Sequence, residues 1–530
     1  MAAKSIILTG FMGTGKTTVG RLLAAESGRA FMDSDEWIVE RAGKSVADIF
    51  AQDGEAAFRA WEAQAARALG DRPGLVVATG GRLMLDPANA LRLGRDALVI
   101  CLTAEPATSL ARLAGDARRR PLLAGADAPE RIGRLLAERE AAYRRYPQVG
   151  SDGRSPEQVA AEVLALVESA AAGAQIAEAH ASAIHVAYPG GGYAIHVGRG
   201  LLARLGALAR SAGQTLVVTD SNVGPLYAGS LDDLNPLAVV AMPAGEASKN
   251  LNTLRHLYAQ LVAARLERRD SLVALGGGVV GDLAGFAAAT YLRGIGYIPA
   301  PTSLLAMVDA SLGGKVGVDL AEGKNLVGAF KQPAAVVADL DVLQTLPAAE
   351  LAGGLAEVIK HGLLAAPWIL DRLENGPTVF SDPLDLQLLI VEAIQVKKAY
   401  VEADPYEAGR RAGLNLGHTF AHALEAASDY RLSHGRAVAL GLLAAACLSE
   451  RLGLAPAGLS QRVEALLGRW SLPGRIPAGI AVEDVLAAMG RDKKRAAGRL
   501  GFVLLAGVGE PLLGVEVAPA EVEAVLRGLL

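Results

Sequence analysis

The segment Gly10-Phe11-Met12-Gly13-Thr14-Gly15-Lys16-Thr17 fits the pattern G-x-x-x-x-G-K-[ST]. Glycines at these positions let successive backbone N–H groups curl around phosphate oxygens, and a helix opening at Thr17 adds its partial positive charge. In that arrangement Gly13, Thr14, Gly15 and Thr18 cradle the phosphates, Lys16 reaches the terminal ones and Thr17 ligates Mg²⁺. The implied ligand is ATP or GTP. Farther on, Asp33-Ser34-Asp35 sets two carboxylates at the end of an apolar run, one available to the metal and the other to a hydroxylic acceptor. Arg59, the turn Thr79-Gly80-Gly81, Arg118-Arg119-Arg120-Pro121 and Arg139 add cations and close backbone approach. By themselves these residues describe a small-molecule kinase with an anionic acceptor.

A second set lies in the other half of the chain. Gly276-Gly277-Gly278-Val279-Val280-Gly281-Asp282 meets G-x-G-x-x-G, whose glycines bring backbone close to a dinucleotide pyrophosphate. The acid that usually contacts the ribose about 20 residues later is missing from Ala300 to Ser303, so Asp220, after Thr215 to Thr219, is the candidate for that contact. An aspartate ending a strand also caps helices. His361, His418, His422 and His434 fall in one window; Glu357 with His361, and His418 with His422, are four residues apart and share a helix face. One glutamate and two histidines, with a position left for substrate or water, make a catalytic Zn²⁺ site. Spacing does not choose which two histidines bind, and each alone reads equally as a hydrogen-bonded core side chain. Arg293, Lys315, Lys324, Lys331, Lys360, Lys397, Arg411, Lys493 and Lys494 supply cations; in Gly313-Gly314-Lys315 and Gly323-Lys324-Asn325 glycine beside lysine suits one anion held by backbone and ammonium.

These residues must be carried by several folded elements. A chain of 530 residues predicts three to four domains, and 51% hydrophobic against 20% charged residues excludes disorder. The net charge of −4 leaves no global field for nucleic acid or an anionic membrane, so any anion is caught locally. Cys101 and Cys447 are too few for a disulfide framework, which fits a reducing cytosol. The apolar start, Ser5 to Thr9, is too short for a signal peptide, and no apolar run has membrane length. Short apolar runs at Ser5 to Thr9, Leu75 to Thr79 and Ala97 to Leu102, separated by helical patterns, predict an α/β domain. Strands are expected again at Ala194 to Val197, Thr215 to Thr219, Val239 to Met242 and Ser271 to Leu275, and Pro347 to Leu530 reads as mostly helical. The expected domains are 1–170, a small-residue linker at 171–183, an α/β dinucleotide domain at 184–340 and a helical metal- and substrate-binding domain at 341–530.

Over about residues 1–170 the chain resembles shikimate kinase. The resemblance is carried by Asp33-Ser34-Asp35, Ser45 to Phe50, Asp53-Gly54-Glu55, Phe58-Arg59, Ala78-Thr79-Gly80-Gly81, Arg120-Pro121-Leu122-Leu123 and Arg139 with Tyr143. It implies that ATP is the nucleotide, that Thr17 and Asp33 organise Mg²⁺, and that Asp35, Arg59, Gly80, Gly81 and Arg139 hold shikimate. Arg59 and Arg139 would pair its carboxylate, Asp35 its hydroxyls, and Arg120 would close over ATP from a mobile lid, excluding water. The family usually has a third glycine after Gly81; here it is Arg82, whose side chain either crowds the acceptor pocket or points to solvent.

About residues 184–530 resemble 3-dehydroquinate synthase. The motifs are Pro243 to Lys249, Gly276 to Asp282, Tyr291 to Gly294, Pro301 to Ala306, Asp309, Gly313 to Gly317, Gly323 to Asn325, Glu357 to Gly362, Leu416 to His422, His434-Gly435 and Asp492 to Lys494. The resemblance implies Glu357, His418 and His434 as ligands of Zn²⁺ (or Co²⁺), with His422 beside the metal assisting proton movement. NAD⁺ would be held by Asp220, Glu246, Lys249, Gly278, Val279, Val280, Gly281, Asp282, Thr302, Ser303, Lys315, Lys324 and Thr345. Asp309, Lys315, Asn325, Lys360, Lys397, Arg411, Asn415, His422 and Lys493 would surround a substrate carrying carboxylate and phosphate, with Arg293 reaching in from a neighbouring subunit of a homodimer. Lys315 and Lys360 are further expected to take part in the chemistry, a cyclisation with phosphate loss and no net redox change. The whole chain is expected to be a cytoplasmic, two-function enzyme acting on small molecules. The rival readings are an N-terminal nucleotide-binding module without kinase activity and, for the second half, another sugar-phosphate cyclase or a polyol dehydrogenase.

Overall fold

Every residue of Ser5–Gly10 is buried, because this strand, β1, lies mid-sheet with apolar side chains on both faces. Ile6 and Leu8 pack into one cluster with Val19, Leu23, Ile100 and Val159, whereas Ile7 packs into the opposite one with Trp37, Phe58 and Leu83, the two-residue period of a strand. Around it stand β2 (Ala30–Asp33), β3 (Leu75–Ala78), β4 (Ala97–Thr103) and β5 (Gln148–Gly150), in the order β2-β3-β1-β4-β5 and all parallel. In this computed structural model the chain is described over residues 4–113, 128–171, 182–209, 211–231, 233–375, 381–407, 409–495 and 501–530. It forms two compact units, Met1–His180 and Ala181–Leu530.

The second unit holds a four-stranded parallel sheet, β11-β10-β8-β9, made of β8 (Thr215–Asp220), β9 (Val239–Met242), β10 (Ser271–Gly276) and β11 (Gly296–Pro301). A three-stranded sheet, β14-β7-β6, joins β6 (Ser182–Tyr188), β7 (Gly191–Gly198) and β14 (Ala335–Asp339). The hairpin of β12 (Lys315–Leu320) and β13 (Gly323–Phe330) packs on the helix Gly278–Thr290. The C-terminal part is mostly helical, with Ala348–Ala365, Pro383–Ala403, His418–Ala427 and His434–Arg451 among its helices, and includes the hairpin of β15 (Gly501–Gly507) and β16 (Glu510–Glu516).

That last hairpin is the non-helical part of a C-terminal region expected, and found, to be mostly helical. Phe502, Val503, Leu504 and Leu505 are all buried, and a continuous apolar run carries no period to separate strand from helix. Ser182 and Ala183, expected in the linker, open β6; residues 172–181 of that expected linker lie outside the described residues. Among the described residues no helix is long and apolar enough to cross a membrane.

Candidate active sites

In the first unit β1 ends at Gly10 and the helix Lys16–Ser27 begins six residues later. The turn between them needs glycine: Gly13 and Gly15 have φ of +81° and +94°, and a side chain on Gly10 would meet the Leu102 carbonyl oxygen at 2.1 Å. Lys16 Nζ donates to the carbonyls of Gly10 and Phe11 at 2.9 and 2.7 Å, so its ammonium folds over the loop it is meant to serve. Thr17 Oγ1 donates to Asp33 Oδ2 at 2.8 Å, joining the two residues expected at Mg²⁺. Asp33 also caps the helix Ser34–Ala42 through Oδ1 and the N–H groups of Asp35 and Glu36.

The acceptor end lies beside β3. Gly80 N–H donates to Ser34 Oγ at 2.8 Å, and a Cβ on Gly80 would stand 2.5 Å from Asp35 Oδ1; the glycine brings backbone and carboxylate together. The Gly81 carbonyl accepts from Tyr143 Oη at 2.6 Å and from Arg139 Nη1 at 3.4 Å. Arg59 pairs with Glu62 at 2.5 Å and with Glu55 at 2.8 Å. Arg82 pairs with Glu55 at 3.0 Å and is half exposed, between the two expected placements. Arg120 falls outside the described residues.

In the second unit, the turn from β10 into the helix Gly278–Thr290 opens on a cavity of about 1890 Å³. Along one side of it lie Asp220, Glu246, Lys249, Thr302, Ser303 and Thr345, with Gly278, Val279, Val280 and Asp282 at the helix start and Lys324 on β13. Gly281 is the exception: it does not line the cavity, and its carbonyl accepts from Tyr297 Oη at 2.9 Å. Asp220 lines the cavity and accepts from the N–H groups of Asn222 and Val223, which closes a turn ahead of the helix Gly224–Tyr227 and does not cap it. Lys249, buried, spans Asn325 Oδ1 at 2.6 Å and Asp282 Oδ2 at 2.5 Å. Burial, only partly offset by Lys249, raises the Asp282 carboxyl to about 6.

Basic residues share this cavity. Lys315, Asn325, Lys397, Arg411 and Asp309 line the cavity. Lys397 Nζ donates to Asp309 Oδ1 and to its carbonyl, both at 2.6 Å. Although burial opposes it, the ammoniums of Lys397 and Lys360 hold Asp309 well below the usual carboxylate range. Arg411 is fully buried and donates to the Gly313 carbonyl at 3.2 Å from both Nη1 and Nη2; a Cβ on Gly313 would meet Nη2 at 2.2 Å, and the φ of +85° there favours glycine. Lys315 pairs with Glu407. Three expected substrate contacts do not line this cavity: Lys360, which is buried against Glu357; Asn415; and Arg293, in an exposed left-handed turn. The Lys493 side chain lies outside the described residues.

The carboxylate of Glu357 meets two imidazoles. His418 Nε2 and His434 Nε2 are 3.6 and 3.5 Å from Glu357 Oε1, and the three ligand atoms lie within 4.8 Å of one another. These separations are long for hydrogen bonds and right for donors arranged around a shared ion. Glu357 comes from the helix Ala348–Ala365, while His418 and His434 each open their own helix. Those helices approach backbone to backbone: a Cβ on Gly435 would sit 2.2 Å from Gly353 Cα, and one on Gly441 2.1 Å from the Gly417 carbonyl oxygen. His418 is oriented through Nδ1, 3.2 Å from the Leu416 carbonyl. Burial and the nearby Lys360 lower its pKa to about 3, leaving the ring neutral as a ligand must be. His422 lies edge-on to His418, 5.5 Å between ring centres, and lines the cavity. His361 is the histidine left over; it forms a second group of possible ligands with Asp309 and Glu357, but the Lys397 and Lys360 ammoniums lie 2.6 and 4.0 Å from Asp309 Oδ1.

Glu425 was not among the expected residues. It is buried, accepts from Lys324 Nζ at 3.2 Å and lies 3.5 Å from His434 Nδ1. The signal for it was its place seven residues after His418, two turns on along the same helix face. Glu62, three residues after Arg59, is its counterpart in the first unit.

Residues 12–168 match the shikimate kinase family model, 239–353 the N-terminal and 354–495 the C-terminal model of 3-dehydroquinate synthase. A 3-dehydroquinate synthase from Symbiobacterium thermophilum is 46% identical over 349 residues, 64% of this chain and 98% of that protein. One from Acidithiobacillus ferrooxidans is 45% identical over 348 residues, 64% of this chain and 95% of that protein. Among solved structures, 2-deoxy-scyllo-inosose synthase complexed with carbaglucose-6-phosphate, NAD⁺ and Co²⁺ is similar at TM-score 0.60 and 28% identity, covering 66% of this chain and 100% of that one. The 2-epi-5-epi-valiolone synthase from Streptomyces hygroscopicus, with NAD⁺ and Zn²⁺ bound, has TM-score 0.60 and 27% identity over 65% of this chain and 98% of that one. The chain therefore belongs to the 3-dehydroquinate synthase family and carries a shikimate kinase domain ahead of it, two enzymes of the shikimate pathway in one polypeptide.

Proposed function

We propose that the first unit phosphorylates the 3-hydroxyl of shikimate from ATP with Mg²⁺, and that the second converts 3-deoxy-arabino-heptulosonate 7-phosphate to 3-dehydroquinate using NAD⁺ and Zn²⁺ or Co²⁺. The observation that carries this reading is one cavity lined by a glycine-opened helix, clustered lysines and arginine, and His434, which belongs to the convergent carboxylate and imidazole set. Glu357, His418 and His434 fit a divalent ion by donor chemistry and spacing. When bound, the ion supplies Lewis acidity at substrate oxygens, the dinucleotide a reversible hydride acceptor, and MgATP the phosphoryl group.

The chain's own residues do the rest. Lys315, Lys397 and Arg411 pair with the substrate's phosphate and carboxylate, which would otherwise be costly to hold away from water. Asp309 keeps Lys397 in place, and His422 stands where it can carry a proton between cavity and the metal-ligand cluster. Lys360 acts from behind Glu357 as its counter-charge, a positioning residue and not a substrate contact. Gly278, Val279 and Val280 offer main-chain N–H groups to the dinucleotide, with Lys249 and Lys324 beside them. In the first unit Lys16 leaves its own loop carbonyls for the nucleotide phosphates, Thr17 and Asp33 hold Mg²⁺, and Asp35 takes the acceptor hydroxyl. The same reading makes the enzyme cytoplasmic and homodimeric through its second unit, Arg293 crossing to the neighbour's cavity.

The test is a pair of assays on one preparation in excess Mg²⁺: shikimate phosphorylation, and phosphate release from the seven-carbon substrate without net NADH accumulation. A zinc-selective chelator is expected to abolish the second and spare the first. Net NADH accumulation without phosphate release would make the second unit a polyol dehydrogenase instead.

A further inference from the structure

At the acceptor end of the first unit, one carboxylate oxygen serves two guanidiniums. Glu55 Oε1 accepts from Arg59 Nη2 at 2.8 Å and Nε at 3.2 Å, and from Arg82 Nη1 at 3.0 Å. Arg59 spends its remaining arm on the buried Glu62. Arg139 reaches the carbonyl of Gly81, the residue before Arg82, so all three cations border one turn. Burial and then the like charges of Arg59 and Arg139 push the Arg82 guanidinium below its ordinary value, as expected for a cation sharing their field.

This arrangement raises a problem for binding an anion. Arg59 is already claimed by two carboxylates, and a third arriving from the acceptor would face both. With Glu55 tied only to Arg59, an entering carboxylate would have to leave Glu55 beside it without a counter-charge. Arg82 provides the counter-charge because it shares the same Oε1 and comes from a different element, the turn after β3.

Resting on the kinase reading of this unit, we propose that Arg82 is a specificity-determining residue for the carboxylate of the acceptor: it retains Glu55 while the acceptor takes its place on Arg59. The residue thus favours anionic over neutral acceptors. Its contribution is that of a half-exposed ion pair, about three- to fivefold in affinity.

The experiment compares the full chain with Arg82→Gln, Arg82→Gly, Glu55→Gln and the double variant Arg82→Gln/Glu55→Gln, by calorimetric titration of shikimate and by steady-state phosphorylation. Both Arg82 variants are expected to weaken shikimate binding about three- to fivefold, in KM more than in kcat. The neutral methyl ester of shikimate is expected to show no such loss. In the Glu55→Gln background the Arg82 substitution should change affinity by less than about 1.5-fold, because the carboxylate it restrains is gone. An unchanged or tighter shikimate Kd in both Arg82 variants overturns the proposal, as does an equal loss with the ester or in the Glu55→Gln background. A parent chain that binds ATP but never phosphorylates shikimate sinks the kinase reading itself, a result separable from these.

Discussion

The phosphate loop of the first unit and the metal cluster of the second solve opposite problems. The loop gathers main-chain N–H groups and one ammonium for an anion, all within a single strand-to-helix turn. The cluster gathers a carboxylate and two imidazoles for a cation, from the interior of one helix and the N-terminal ends of two others. A local site inherits its geometry from backbone conformation, so glycine φ values govern it. A dispersed site inherits its geometry from helix packing, so the residues that govern it are those at which helices touch. Gly353, Gly417, Gly435 and Gly441 have no side chains to offer a ligand, yet the helices that carry Glu357, His418 and His434 touch at them.

The sharpest break in that comparison is Lys16→Met. Removing the ammonium deletes a charge aimed at the transferring phosphoryl group, a loss of about 10²- to 10³-fold in kcat. Lys16 hydrogen-bonds loop carbonyls of its own unit, and phosphate release by the second unit is expected to stay at the parent rate. A matching fall in both activities would show that the units work as one.

Gly435→Ala probes the dispersed site without touching a ligand. Its Cβ would stand 2.2 Å from Gly353 Cα, backbone against backbone, so the helices must separate. Overpacking of this kind costs about 1–3 kcal/mol. Displacing His434 relative to Glu357 is expected to weaken metal binding by about 100-fold, with kinase activity intact. Equilibrium dialysis against zinc checks it; unchanged affinity would mean that the helix contact does not set the ligand geometry.

The same contrast explains what could be read before any coordinates. The phosphate loop was legible because all its determinants are contiguous, and the parallel strands were legible because fully buried strands are short apolar runs between helical segments. The β15-β16 hairpin was not, since an apolar run at the end of a helical region has no period of its own. Clustered histidines pointed to a candidate metal region, but spacing left the choice among four of them open. What separates them in space is their place in a helix: His418 and His434 open helices, His422 lies one turn into the first of these, and His361 is inside the helix Ala348–Ala365, fully buried. Arg293, expected at the substrate, does not line this cavity.

The mildest test asks whether the dispersed site extends to a second layer. Glu425 touches no expected metal position, but it lies 3.5 Å from His434 Nδ1 and accepts from Lys324, on the dinucleotide side. Although burial opposes it, the hydrogen bond with the His434 ring and the Lys324 ammonium hold the carboxyl below its ordinary value, which keeps it ionised. A carboxylate on the far nitrogen of a metal-binding imidazole fixes the ring and strengthens the ligand, and its loss typically costs 10- to 100-fold in metal affinity. Glu425→Gln keeps the shape and removes the charge, so the lower end, about tenfold weaker zinc binding, is expected, measured by competition with a colorimetric chelator. Lys324 would lose its counter-charge at the same time, and dinucleotide affinity should change together with metal affinity. If zinc affinity holds while the fold loses stability, Glu425 serves packing alone, and the dispersed site ends at its three ligands.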